Sequence, residues 1–151
     1  MGELSFANRV CDCSFDFNGN HVIQKIIISL GGQVNLQEMH HFMKQIEGNI
    51  IDFSVHEYCC RIVQRMYEHC HNSFLDEISQ IIVRNFYYLS KNEFGIFVLS
   101  SMLINAEDRF KSQILQTVSG SAASMSLQKD GSKLIENIVK MMALINSKHV
   151  Q

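Results

Sequence analysis

The chain contains no proline and no tryptophan in 151 residues. Proline fixes φ and removes a backbone donor, so its absence leaves helices free to run uninterrupted and argues against a turn-rich β fold. Charge is scarce as well. Asp, Glu, Lys and Arg make up 19% of the chain against 46% hydrophobic residues, a balance that suits a packed core and excludes disorder. The opening MGELSFANRV has neither the basic nor the apolar stretch of a secretory leader. Runs such as VIQKIIISL are too short and too polar to cross a bilayer, so no membrane role is expected. The five cysteines include no CxxC pair, and adjacent Cys59 and Cys60 would form a strained mutual bridge. The expectation is a reduced, cytoplasmic, single-domain protein spanning 1–151.

Chemistry-bearing signatures are missing too. There is no phosphate loop, no HExxH and no GxSxG, so no enzyme and no cofactor are expected. His40 and His41 are adjacent, as are His69, Cys70 and His71. Neighbours on a helix point about 100° apart, and no second ligand pair has finger-like spacing, so no metal is expected either.

What the chain does have is a repeat. SFDFNGNHVIQKII from Ser14, SVHEYCCRIVQRMY from Ser54, SKNEFGIFVLSSML from Ser90 and SLQKDGSKLIENIV from Ser126 align without gaps, with the serines 40, 36 and 36 residues apart. Fixed periods of this length mark repeat architectures. The spacing suggests units over about 1–31, 32–71, 72–106 and 107–151, the first truncated. Each reads as two helices: LQEMHHFMKQIEGNIIDFS then EYCCRIVQRMYEHC in the second, NSFLDEISQIIVRNFYYLS then EFGIFVLSSMLI in the third. Such a unit cannot bury its apolar face alone, so the units must stack into an α-solenoid.

Within each second helix, Ile62, Val63, Met66, Tyr67 and Cys70 and their counterparts keep the spacing of a buried stripe. Three other positions change chemistry from unit to unit. They hold Asn20, His21 and Gln24 in the first unit and Cys60, Arg61 and Gln64 in the second. They hold Ile96, Phe97 and Ser100 in the third, and Ser132, Lys133 and Glu136 in the fourth. The neighbouring pairs Val22/Ile23, Ile62/Val63, Val98/Leu99 and Leu134/Ile135 are apolar throughout. A constant core beside a trio that is expected to be exposed and varies once per unit suggests a readout surface.

FNGNHVIQKII and HEYCCRIVQRMYEHC resemble the RNA-binding repeats of the Pumilio/PUF family, and the likeness extends from about Val10 to Met142. It implies an all-α, right-handed solenoid of about four PUF-type repeats forming a partial crescent, with three-layered units and one RNA base held per repeat on the concave face. In that pattern the first and third trio members meet the base edge: Asn20 with Gln24 resembles the uracil-reading pair, Cys60 with Gln64 the adenine pair, and Ser132 with Glu136 the guanine pair. A carboxylate only accepts, which suits the adjacent donors of guanine. The middle members His21, Arg61 and Phe97 would stack between bases, and Lys133 would meet phosphate. Ile96 and Ser100 match no reading pair. With RNA running antiparallel to the protein, the implied core is 5′-G-N-A-U-3′.

The partner implied is single-stranded RNA, specifically mRNA through 3′ untranslated regions, with protein co-regulators and with self-association or docking of further repeats through apolar solenoid ends. The rival is a helical scaffold that binds a protein or peptide without RNA. Net charge, −2 overall, speaks mildly for the rival. Across the four second helices, however, Lys25, Arg61, Arg65, Lys133 and Lys140 face only Glu68 and Glu136. The expected binding face is therefore basic although the chain is acidic.

Overall fold

A computed structural model describes residues 9–125 and 129–149, with side chains except those of 121–135 and 148–149. The helices are α1 (Val10–Phe15), α2 (Gly19–Leu30), α3 (Gln37–Glu47), α4 (Ile50–Ser54), α5 (Cys59–His69), α6 (Asn72–Arg84), α7 (Phe86–Ser90), α8 (Gly95–Asn105), α9 (Asp108–Met125) and α10 (Lys129–His149). There is no strand among the described residues. The architecture is an α-solenoid. The inner helices stack in the order α2, α5, α8, α10, and the outer helices α3, α6 and α9 pack in their own row behind them. We refer to α1–α2, α3–α5, α6–α8 and α9–α10 as units one to four.

Units two and three contain three helices rather than the two expected from periodicity. The cause is an asparagine in each. Asn49 and Asn85 turn Nδ2 onto the carbonyl four residues back, Gln45 O at 3.0 Å and Ile81 O at 2.8 Å. Each bond satisfies a carbonyl at the end of the outer helix. The next residues, Ile50 and Phe86, are buried and open a short helix in a new direction. Position 121, thirty-six beyond Asn85, is a serine, and α9 runs on past it as one helix.

The serines that set the period close the short helices. Ser14, Ser54 and Ser90 are buried, and their hydroxyls donate to Val10 O (2.6 Å), Ile50 O (2.7 Å) and Tyr87 O (2.9 Å). Two residues later a side chain caps the inner helix. Asp16 Oδ2 accepts from the N–H groups of Asn18 and Gly19 at 2.9 and 2.7 Å, His56 Nδ1 from Tyr58 and Cys59 at 3.1 and 3.4 Å, and Asn92 Oδ1 from Phe94 and Gly95 at 2.8 and 3.0 Å. Three different residue types thus do one job, satisfying orphan donors at a helix start.

The turn into the inner helix is tight. A Cβ at Gly19 would lie 2.4 Å from Cys13 O, and one at Gly95 would lie 2.2 Å from Leu89 O. Unit two accommodates Cys59 at that place. The side chain is fully buried, and its thiol donates to Ser14 O of the preceding unit at 3.1 Å. The core is continuous along the solenoid, with Ile23, Ile27, Ile62, Val63, Met66, Val98, Leu99 and Met102 all fully buried.

Candidate nucleic-acid interface

The trio positions do not share one exposure, as the sequence pattern suggested. The middle members form a ridge: His21 and Arg61 are exposed, and Phe97 is 42% exposed. The first members form a floor, with Asn20, Cys60 and Ile96 only 2%, 3% and 8% exposed. Gln24 and Gln64 are half-buried, and Ser100 is buried. Helix geometry explains the difference. A residue one position before the ridge is rotated about 100° around the axis, which turns it into the crevice against the adjacent inner helix.

Each floor has its own hydrogen bonds. Asn20 Nδ2 donates to Asp16 O and Phe17 O at 2.9 and 2.7 Å, and its Oδ1 accepts from Gln24 Nε2 at 3.0 Å. In unit two the Cys60 thiol points to Glu57 O at 3.6 Å, and Gln64 Nε2 donates to Cys60 O at 3.2 Å. In both, the glutamine amide is tethered through its nitrogen. In unit three, Ser100 Oγ donates to Ile96 O at 2.8 Å. That bond takes up the hydroxyl's only proton, so the floor of unit three offers a base edge no donor. Burial pushes the Cys60 thiol up, against the opposing pull of Arg61, which favours the small neutral thiol over the thiolate.

A cavity of 270 Å³ opens at the boundary of units one to three, lined by Phe17, Asn20, His21, Glu57, Tyr58, Arg61 and Phe94. Phe17 and Tyr58 meet edge to face with centroids 5.7 Å apart, and Tyr58 meets His56 edge to face in turn at 5.3 Å. Phe17 and Glu57 were not among the expected site residues. The signal was an aromatic or acidic residue two or three places before each trio, in the segment that enters the inner helix.

Unit four is placed differently. The side chains of Ser132 and Lys133 lie outside the described set. Glu136 is exposed and bonded to Lys140 at 3.1 Å. The contact with the Ser90 carbonyl is made by Asn137 Nδ2 at 2.6 Å, whereas the repeat spacing would put Gly131 there, by analogy with Cys59 on Ser14. The result is a wider groove of 760 Å³ between α8 and α10, floored by Ile96, Phe97 and Leu144 and edged by Lys91 and Lys140.

The basic character expected of this face is partly neutralised. Arg65 is bonded to Glu68, as Lys140 is to Glu136. Arg61 has no acidic partner within ion-pair distance among the described residues. No group of three side chains among them could hold a metal ion, and none of their helices is long and apolar enough to cross a membrane.

The fold and this face define a class: a helical-repeat solenoid whose inner helices, in units one to three, present one planar ridge residue over one floor. A sequence profile described as the Pumilio-family RNA binding repeat matches residues 9–33 and 49–83. Both matched stretches are Pumilio-family repeats, and the chain resembles Pumilio/PUF repeat proteins. It is 27% identical over 131 residues to Pumilio homology domain family member 4 of Saccharomyces cerevisiae, covering 84% of this chain and 14% of that protein. It is also 27% identical to the suppressor protein MPT5 of the same yeast, covering 93% and 16%. The chain therefore spans less than a fifth of the relatives it matches. Among solved structures, PUF-8 in complex with PBE-RNA superposes with a TM-score of 0.73 at 26% identity, covering 90% of this chain and 39% of that one. The Puf4 RNA binding domain bound to the HO endonuclease RNA 3′ UTR recognition sequence superposes with 0.73 at 23% identity, covering 94% and 44%, and supports the fold alone.

Proposed function

We propose that this chain binds single-stranded RNA along its inner helices, one base per unit, and that its physiological ligand is mRNA in the cytoplasm, met through 3′ untranslated regions for post-transcriptional control. The observation that carries this reading is the ridge of His21, Arg61 and Phe97, exposed on three successive inner helices above floors that are already packed and hydrogen-bonded. Planar groups at regular intervals are what stacked bases require, and rigid floors lower the ordering cost of binding.

Likeness to the family's base-reading pairs suggests a base for three of the four units. Asn20 and Gln24 take uracil. Cys60 and Gln64 take adenine, the small thiol leaving room for a purine while the Gln64 amide meets its edge. Unit three holds a base by stacking on Phe97 without reading it. Guanine at unit four is carried by the likeness of Ser132 and Glu136 to the guanine-reading pair alone. The core read is 5′-G-N-A-U-3′. Stacking contributes roughly 1–3 kcal/mol per base, from which the cost of association is subtracted. Four units therefore bind at a strength on the order of micromolar.

Fluorescence anisotropy with a short labelled RNA carrying this core, at two salt concentrations, tests the reading. Saturable binding that weakens only modestly with salt is expected, since few unpaired cations face the RNA. A flat titration into the submillimolar range would leave the protein-binding scaffold as the better account.

A further inference from the structure

The floor of unit three differs in kind from those of units one and two. In the first two, a glutamine amide tethered through its nitrogen keeps its oxygen as an acceptor for a base edge. In unit three the corresponding pair is Ile96 and Ser100, 8% and 4% exposed. Ile96 has no polar side-chain atom, and the Ser100 hydroxyl donates to Ile96 O at 2.8 Å. What this unit turns outward is hydrocarbon and the ring of Phe97, 42% exposed. The apolar surface does not end there. Ile96 and Phe97 open into the groove between α8 and α10, where Ala143 and Leu144 continue the wall, and the charged lining residues Lys91, Glu93 and Lys140 are all exposed. The groove encloses 760 Å³ against 270 Å³ for the cavity beside His21 and Arg61, so it has room for more than an unmodified base.

On the RNA reading proposed above, on which this inference rests, a base stacked on Phe97 presents its Watson–Crick edge to Ile96. An unmodified edge carries hydrogen-bonding groups that find no partner on that side chain, and burying such groups unpaired is costly. A methyl group on the edge removes part of the cost and adds apolar contact, as the thymine methyl does against an apolar side chain. We infer that unit three is a site for a base methylated on its Watson–Crick edge. N6-methyladenine fits this description, since its methyl replaces one N6 hydrogen and stands over the edge that an unmodified adenine would present. Unit two is the contrast. There the same methyl meets the Gln64 amide and removes a donor that its oxygen could accept from. The site in unit three thus discriminates by an added methyl and not among the four unmodified bases, which are alike in leaving polar atoms unpaired over Ile96.

The test uses the full chain and three labelled RNAs with the core 5′-G-A-A-U-3′. One is unmodified, one carries N6-methyladenine at the first adenine, over unit three, and one carries it at the second, over unit two. In anisotropy titrations the first methyl should tighten binding about fourfold, which is what burying one methylene-sized group is worth. The second should weaken it. Ile96→Asn copies the Asn20 that α2 accommodates at 2% exposure, and it should abolish the gain over unit three. If that variant proves unfolded by circular dichroism, the two methyl positions on the unaltered chain decide alone. Equal or weaker binding with the first methyl, while the unmodified RNA still saturates, would overturn the inference and spare the RNA reading. A gain of the same size at both positions, or one that persists in Ile96→Asn, would overturn it too. A flat titration with all three RNAs would overturn the RNA reading itself, and the inference with it.

Discussion

Helices α5 and α8 have the same length, occupy neighbouring places in one stack and bury the same stripe, yet they show opposite faces. Outside its core, α5 presents Arg61, Gln64, Arg65 and Glu68. In α8, Ile96, Ser100 and Ser101 are all buried, leaving Phe97 as the exposed ridge. The polar floor of unit two and the apolar floor of unit three sit in the same scaffold, so the scaffold does not depend on the floor's chemistry. Packing of Ile62, Val63 and Met66, or of Val98, Leu99 and Met102, places the helix. On the proposed reading, the trio then decides what the placed helix can recognise.

That separation can be probed from the core outward. Met66→Ala and Met102→Ala remove equivalent, fully buried side chains, and each should destabilise by roughly 2–5 kcal/mol. Denaturant titration should show similar losses in the two units, whereas a large disparity would mean that the two cores are not equivalent. Gly95→Cys, which gives unit three the residue of unit two, should destabilise by roughly 1–3 kcal/mol. The added Cβ meets the backbone carbonyl of Leu89, which cannot rotate away. A thermal melt like that of the unaltered chain would contradict the tight turn.

Changes on the exposed side should spare stability and alter binding. Arg61→Ala should leave the melting temperature within a degree or so, since Arg61 is a surface residue. It should weaken RNA binding by roughly 1–3 kcal/mol through lost stacking. The double change Ile96→Asn with Ser100→Gln copies the unit-one pair onto α8 and should create a uracil preference at the unread position, read out by titration with four RNAs differing only there.

A further effect concerns alkali. Burial pushes the Cys59 and Cys70 thiols from 9.0 up to about 12. The folded protein holds both protonated after the unfolded chain has begun to ionise. Their contribution to stability is therefore full below pH 9.0 and is lost as pH rises toward about 12. Melting temperature should fall over that window, and fall less in Cys59→Ala. At the place equivalent to Cys59, unit three has Gly95, which carries no thiol to titrate.

Much of this was legible in the chain. The serine spacing and the paired apolar residues after each trio are dictated by burial, which leaves a strong periodic trace, and they led to the solenoid. Periodicity alone missed the short helices, the third layer that the family resemblance implied, because Asn49 and Asn85 break an apolar pattern that carries on across the break. The caps escaped notice because Asp16, His56 and Asn92 share a role and no residue type. Exposure of the whole trio was expected because one-dimensional periodicity separates core from surface. It does not register the crevice between two neighbouring helices, where Asn20, Cys60 and Ile96 lie. Val22 was taken as core because its counterparts are, yet it is 51% exposed; exposure there depends on which helix stands beside α2, a property of the stack and not of the segment.

The central claim is one base per unit, with reading units and a non-reading one side by side. Its most direct test is a base-by-base scan by anisotropy, each position of a 5′-G-N-A-U-3′ RNA being replaced in turn by the other three bases. The account predicts losses of roughly 1–3 kcal/mol when the adenine or the uracil is changed, and indifference at N, over Phe97. Equal sensitivity at N and at the adenine, or indifference at every position, would contradict it.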